Sequence, residues 1–226
     1  MNFHGKTVVV TGGGGGLGQG IVRWLADRKA NVVVPEYSDR SDLFSDVDNV
    51  TVITGKDLTD EETVVDFYSG LTSLWGSIHL AGGFMAAALL DTSLASLEHM
   101  FRMNVVTAFL CSREAVRRMK DGGRIVNVSA RPALDNPVAG LSAYTISKGA
   151  VASMTRAMAA ECLEKDILIN AIAPSIIDTP ANRQAMPNAD FRSWPKPADL
   201  AETIGYLVSS ENSVTSGTIV PVYGQA

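Results

Sequence analysis

Thr7-Val8-Val9-Val10-Thr11-Gly12-Gly13-Gly14-Gly15-Gly16-Leu17-Gly18 is the stretch on which the fold turns. Its first half is a continuous β-branched run, the pattern of a short strand covered on both faces in a parallel sheet. Its second half is a glycine turn, after which Ile21, Val22, Trp24 and Leu25 begin a helical pattern. Strand, glycine turn and helix in direct succession are what a dinucleotide site needs. Glycines let the backbone approach a pyrophosphate, and a helix N-terminus presents free N–H groups and a positive dipole end. The run admits two registers, Gly13-x-Gly15-x-x-Gly18 and Gly12-x-x-x-Gly16-x-Gly18, and spacing does not choose between them. A flexible linker is the competing reading; it fits poorly between a buried strand and an amphipathic helix.

Downstream, Asn31-Val32-Val33-Val34 reads as a second strand ending at Pro35-Glu36. An acidic residue at that strand end can accept hydrogen bonds from both adenosine-ribose hydroxyls and would repel a 2′-phosphate. Glu36 therefore predicts NAD(H) in preference to NADP(H); against this, it is a solvated loop acid beside Asp39 and Asp42. Val50-Thr51-Val52-Ile53-Thr54 is a third strand, and Asp57-Leu58 leads to a helix over 60–74 with Thr59 as its N-cap. The stretch 77–83 reads as a fourth strand closing on Ala81-Gly82-Gly83, small residues that leave room for a flat ligand. Two helical patterns follow, 94–103 and 105–120, with Asn104 at their junction. Residues 124–130 and 167–172 give the fifth and sixth strands, and a proline-marked loop, a helix over 197–209 and a strand over 218–222 complete the chain. Strands alternate with helices and there is no internal linker. The expectation is one α/β domain over 1–226, a doubly wound parallel sheet with helices on both faces.

Tyr144-Thr145-Ile146-Ser147-Lys148 carries the chemistry. Residues four apart share one helix face, which sets a phenol beside an ammonium. A neighbouring positive charge pulls a tyrosine down from its usual pKa of about 10 and makes it a usable acid or base. The same spacing occurs by chance in many helices, so the pair has weight only in the context of the glycine turn.

Composition removes several other classes. The net charge is −5 with no run of Lys or Arg, so nothing predicts nucleic acid or an anionic membrane as a partner. No apolar stretch suggests a membrane span, and the N-terminus lacks the apolar segment of a signal peptide. Cys111 and Cys162 read as packed thiols of a reducing, cytoplasmic setting, and His4, His79 and His99 are too scattered for a metal site.

With the glycine turn, Glu36, Asn104 and Tyr144-x-x-x-Lys148 in this order, the whole chain resembles the short-chain dehydrogenase/reductase family. The resemblance selects the register Gly12, Gly16, Gly18, with Leu17 inside it. It implies that Tyr144 exchanges a proton with substrate oxygen while hydride passes to or from a nicotinamide. It further implies that Lys148 holds the ribose and lowers the tyrosine pKa, and that Asn104 supports a water-linked proton path. Asp57 and Leu58 match the adenine-contacting pair, Ala81 and Gly82 the turn after the fourth strand, and Pro174, Ile177 and Thr179 the segment that meets the pyrophosphate or carboxamide. A homodimer or homotetramer is implied by the family's pairing of two long helices, here those bearing Cys111, Met154 and Met158.

Two positions depart from the family pattern. His79-Leu80-Ala81-Gly82 replaces the usual Asn-Asn-Ala-Gly. The usual substrate-binding serine aligns with Ala130, and Ser129 points to the other face of its strand. The quinoid dihydropteridine reductases share that absence. Ala81-Gly82-Gly83-Phe84, Ala133-Leu134-Asp135 and the loop from Asp178 to Trp194 are similar to theirs. This resemblance implies a quinonoid dihydropterin as substrate, with Ala130, Phe84 and Trp194 beside it. A small carbonyl, enone or alcohol is the alternative. A dinucleotide-sensing protein without chemistry is the reading of a different class, supported by Ala130 and the altered asparagine motif and opposed by the intact Tyr144 and Lys148.

Overall fold

A computed structural model describes residues 1–225. Seven strands form one parallel sheet: β1 (Thr7–Thr11), β2 (Asn31–Pro35), β3 (Val50–Ile53), β4 (Gly76–His79), β5 (Gly123–Val128), β6 (Ile167–Pro174) and β7 (Ile219–Val222). Their spatial order is β3-β2-β1-β4-β5-β6-β7. The chain runs outward from β1 to β3 and returns to β4, so a topological switch point lies between β1 and β4. Ligands of open α/β sheets bind at that crevice, outside the carboxyl ends of the strands.

The helices are α1 (Gly18–Asp27), α2 (Glu61–Ser69), α3 (Leu94–Phe101), α4 (Thr107–Arg118), α5 (Ser142–Cys162), α6 (Pro180–Ala185) and α7 (Pro197–Val208). Alternation along the strands feeds two apolar layers. Val8, Val10, Ile78, Val126 and Ile172 pack with Ile21 and Leu25 of α1 and Leu200 and Ile204 of α7. Val9, Ile125 and Ile169 pack on the other face with Phe67 of α2, Leu110 of α4 and Ala159 of α5. Cover on both faces explains why β1 and β2 are unbroken β-branched runs. Among the described residues, no helix is long and apolar enough to cross a membrane.

Four local expectations are corrected. Helix α2 is capped by Asp60, whose carboxylate accepts from Thr63 N at 2.8 Å. Thr59, the expected cap, instead donates its N–H and hydroxyl to Asp57 Oδ1. Helix α2 also ends at Ser69, before Gly70, and not at Leu74. The two helices expected around Asn104 are one rod, α3 running into α4 through a π-helical segment, Arg102–Val106. Strand β4 stops at His79, and residues 80–83 form a loop at the switch point.

Candidate active site

The glycine turn lies at the switch point. Gly12 has φ +65°, and a Cβ there would stand 2.7 Å from Ala81 N, so only glycine fits. At Gly18 a Cβ would run into Gly12 O. No side chain caps the N-terminus of α1; Gln19 N donates to Gly15 O at 3.0 Å and Ile21 N to Leu17 O at 3.3 Å, so only part of its first turn is free for a ligand. From Gly12 and Ala81 a cavity of about 460 Å³ extends past Gly82, Glu36, Asp57 and Leu58. The structure thus brings the segments that follow β1, β2, β3 and β4 to one trough with the dimensions of a small-molecule site. On its other side, Thr179 caps α6 by accepting from Asn182 N at 3.3 Å, and its methyl lies 3.3 Å from the Cβ position of Gly16. Ile177 accepts at its carbonyl from Asn182 Nδ2, and Pro174 ends β6.

Glu36 does not hold its strand end alone. Its Oε2 lies 2.5 Å, and Arg40 Nη1 3.0 Å, from the Cβ position of Gly14. Carboxylate and guanidinium flank the same backbone. Arg40, five residues past the end of β2, lies outside the acidic signal that singled out Glu36, although a basic residue so near the strand end marks the same edge of the site.

Tyr144 and Lys148 stand one turn apart on α5. Lys148 Nζ donates to Val128 O at 2.9 Å. Burial acts on the two in opposite senses, pushing the Tyr144 phenol up to about 12 and the Lys148 ammonium down to about 8. The lowering of Tyr144 expected from its neighbour is not found; the dry surroundings of the ring raise it instead.

Asn104 lies fully inside. Its Oδ1 accepts from Gly83 N at 2.9 Å, and its Nδ2 donates to Gly83 O at 3.1 Å and to Ser147 Oγ at 3.0 Å. Ser147 Oγ donates in turn to Tyr144 O at 2.7 Å. The side chain ties the π-helical segment to the switch-point loop and to α5. Ser147, which the spacing argument passed over, is the joint.

Ser129 donates its hydroxyl to Lys148 O at 2.9 Å and is buried against α5. It is turned away from the position that Ala130 occupies, as strand alternation requires. Phe84 is 66% exposed, and its ring meets that of Tyr144 edge-on at 5.0 Å. Trp194, expected to line the substrate, is instead buried, 5.0 Å from Phe191. It anchors the loop that follows β6, while Phe84 supplies the open aromatic surface.

His79 is buried in a polar chain. Its Nε2 meets Ser77 Oγ at 2.9 Å, which meets Tyr68 Oη at 2.8 Å. Its Nδ1 meets Asn127 Oδ1 at 2.8 Å, and Asn127 Nδ2 donates to Thr155 Oγ1 at 3.0 Å. Burial holds the imidazole near a pKa of about 4, so it is neutral. This chain runs along one face of the sheet and joins α2, β4, β5 and α5. Among the described residues, no group of three or more His, Cys, Asp or Glu side chains is arranged to hold a metal ion.

A comparison with protein families gives a match to short chain dehydrogenase over residues 6–190. The chain belongs to the short-chain dehydrogenase family. It is an NAD(P)-dependent oxidoreductase. It is 29% identical to a versicolorin reductase of Aspergillus parasiticus, covering 99% of this chain and 97% of that one. It is also 29% identical to a cyclic-di-GMP-binding biofilm dispersal mediator protein of Escherichia coli, covering 98% and 97%. A trihydroxynaphthalene reductase of Pestalotiopsis fici is 25% identical, covering 100% and 90%. Among solved structures, a crystal structure of BdcA in complex with NADPH superimposes with a TM-score of 0.88 at 29% identity, covering 99% of this chain and 95% of that one.

Two expectations change on this comparison. The preference for NAD(H) does not stand, because the solved relative BdcA carries NADPH. The physical reason lies in the strand end: Arg40 beside Gly14 offsets the repulsion that Glu36 alone would exert. The specific likeness to quinoid dihydropteridine reductases is not shared by these relatives, which include a versicolorin reductase and a trihydroxynaphthalene reductase.

Proposed function

We propose that this short-chain dehydrogenase uses NADPH to reduce the carbonyl group of a flat, conjugated molecule. The observation that carries the reading is the exposed Phe84 ring standing edge-on to Tyr144. It makes an aromatic wall beside the proton donor, on which a planar substrate can stack. The names of the versicolorin and trihydroxynaphthalene reductases support the same chemical class.

Bound NADPH would supply the hydride. Gly12, Gly18 and the uncapped start of α1 would admit its pyrophosphate, Asp57 and Leu58 would border its adenine, and Arg40 would neutralise a 2′-phosphate. Tyr144 holds its proton at neutral pH and delivers it to the carbonyl oxygen as the carbon accepts hydride, giving an alcohol. Lys148 would hold the ribose, and Asn104 with Ser147 fixes the relation of α5 to the switch-point loop. No hydroxyl is present at Ala130 to polarise the carbonyl, so the substrate must be activated by its own conjugation.

That last point favours a second substrate, a quinonoid dihydropterin, whose conjugated acceptor needs little help from the protein. The test is oxidation of NADPH and NADH with a panel of polyhydroxynaphthalenones, quinones, simple ketones and chemically generated quinonoid dihydropterin. Turnover of the aromatic ketones with NADPH supports the main reading, and fast turnover of the pterin alone supports the second. Cofactor binding with no turnover across the panel would favour a dinucleotide sensor and sink both. Arg40→Ala should narrow the preference for NADPH over NADH by roughly tenfold, the loss of one charged contact.

The protein is further proposed to work as a homo-oligomer through α4 and α5, where Phe109 and Ile146 remain exposed. Cys111, on α4, is itself buried in the core. Light scattering returning a monomer would refute the assembly.

A further inference from the structure

The parallel sheet delivers the ends of β5, β6 and β7 to the same edge, and three segments leave them around the substrate side of the trough. After β5 come Ala130 and the loop 131–135, after β6 the lid from Asp178 to Trp194, and after β7 the segment 223–225. The last is bonded to both of the others. Gln225 N donates to Ser193 O at 2.9 Å, beside Trp194 in the lid. Ser175, at the lid's root, donates its N–H to Val222 O at 3.2 Å and its hydroxyl to Tyr223 O at 2.8 Å.

On the other side, Tyr223 Oη donates to Asp135 Oδ2 at 2.8 Å. Arg131 lies over the Tyr223 ring at 4.6 Å and pairs with Asp135 at 3.5 Å. Leu134, between them, packs into the apolar cluster of Ala152, Ala171, Ala173 and Ile219. The lid is closed on itself at its base, where Asp178 N donates to Pro195 O at 2.9 Å. It is stiffened by the Asp178–Arg183 pair and by Arg183 over the Phe191 ring. What ties it to the opposite wall is the segment after β7.

We propose that Tyr223 is a positioning residue that clamps the lid to the loop bearing Arg131 and Asp135, and thereby sets the width of the substrate mouth. The inference rests on the reductase reading of the cleft. The side chains of the clamp, Tyr223, Asp135 and Arg131, are not among those that line the trough with Gly12, Glu36 and Asp57, so its effect falls first on the substrate mouth. The phenol is pushed up to about 12, by burial first and then by its bond to Asp135. It therefore stays a donor throughout the working range of pH.

The experiment uses the full chain with Tyr223→Phe, Asp135→Ala, Asp135→Asn and the Tyr223→Phe/Asp135→Ala double variant. Amide hydrogen exchange is read across 175–195, beside steady-state kinetics with NADPH and the carbonyl substrate that the panel identifies. Tyr223→Phe keeps the ring under Arg131 and removes only the hydroxyl. Lid amides should then exchange roughly fivefold faster, and KM for the carbonyl should rise by about the same factor, the scale of one partly exposed charge-assisted bond. The kcat and the KM for NADPH should stay within about twofold of wild type. Asp135→Ala should match Tyr223→Phe, the double variant should be no worse than either, and Asp135→Asn, which still accepts but carries no charge, should fall between Asp135→Ala and wild type.

Wild-type exchange in the lid of Tyr223→Phe would overturn the clamp. So would acceleration spread evenly over the whole chain with a lowered melting temperature, since that is loss of fold and not loss of a tie. A wild-type protein silent on every carbonyl would sink the reductase reading, while the exchange data would still decide on the clamp.

Discussion

Tyr144 and Lys148 are moved by one cause, the dryness of the cleft, and it suits a reductase. A phenol near 12 is protonated at neutral pH and has a proton to give. A lysine near 8 is charged below that pH and loses its charge above it. We expect kcat/KM for carbonyl reduction to fall as pH rises through about 8, a limb that a pH–rate profile of the free enzyme would show. Tyr144→Phe should lower kcat by roughly a hundredfold or more while leaving NADPH affinity unchanged in a fluorescence titration. His79 carries a separate pH dependence. Its folded value of about 4 lies below the unfolded value of 6.5, so the unfolded chain binds the extra proton and acid favours unfolding. Stability is unaffected above about 6.5 and falls by ~3 kcal/mol in all as pH drops to about 4. Denaturant titrations of His79→Asn should lack that slope between pH 6.5 and 4; a slope equal to wild type would refute the assignment.

At the scale of elements, the helical rod of α3 and α4 depends on its π-helical segment. The extra residue in that turn swings Asn104 inward, where three bonds hold it to Gly83 and Ser147. Asn104→Ala would leave the partly buried N–H and C=O of Gly83 without their partner. Its expected cost is ~2 kcal/mol in chemical denaturation, together with a fall in kcat as α5 and the switch-point loop lose their common tie. The loop after β4 works the same way in reverse. It approaches Gly12 so closely that Gly12→Ala should abolish NADPH binding by titration, with the backbone at φ +65° adding strain. Asp60 capping α2 in place of Thr59 shows how such details are settled: a carboxylate is the stronger acceptor, and Asp57 had already engaged Thr59.

For the molecule as a whole, one parallel sheet collects at one edge groups that are far apart in the chain. The order of strands and helices, the cover on both faces and the glycine turn were legible because hydrophobic periodicity and turn chemistry are local properties. The sequence by itself determined the α/β fold, the family, and the positions of Gly12, Glu36, Asn104, Tyr144 and Lys148. The tertiary structure decided what those residues meet. It placed Arg40 beside Glu36 over Gly14, turned Ser129 into α5, buried Trp194 and left Phe84 open against Tyr144. It also bonded Tyr223 to Asp135 across 88 positions of chain. Such pairings depend on strand order and on which face of the sheet a side chain meets. Burial likewise reversed the expected shift at Tyr144, since desolvation is a property of everything packed around a ring and not of the residue four places along its helix.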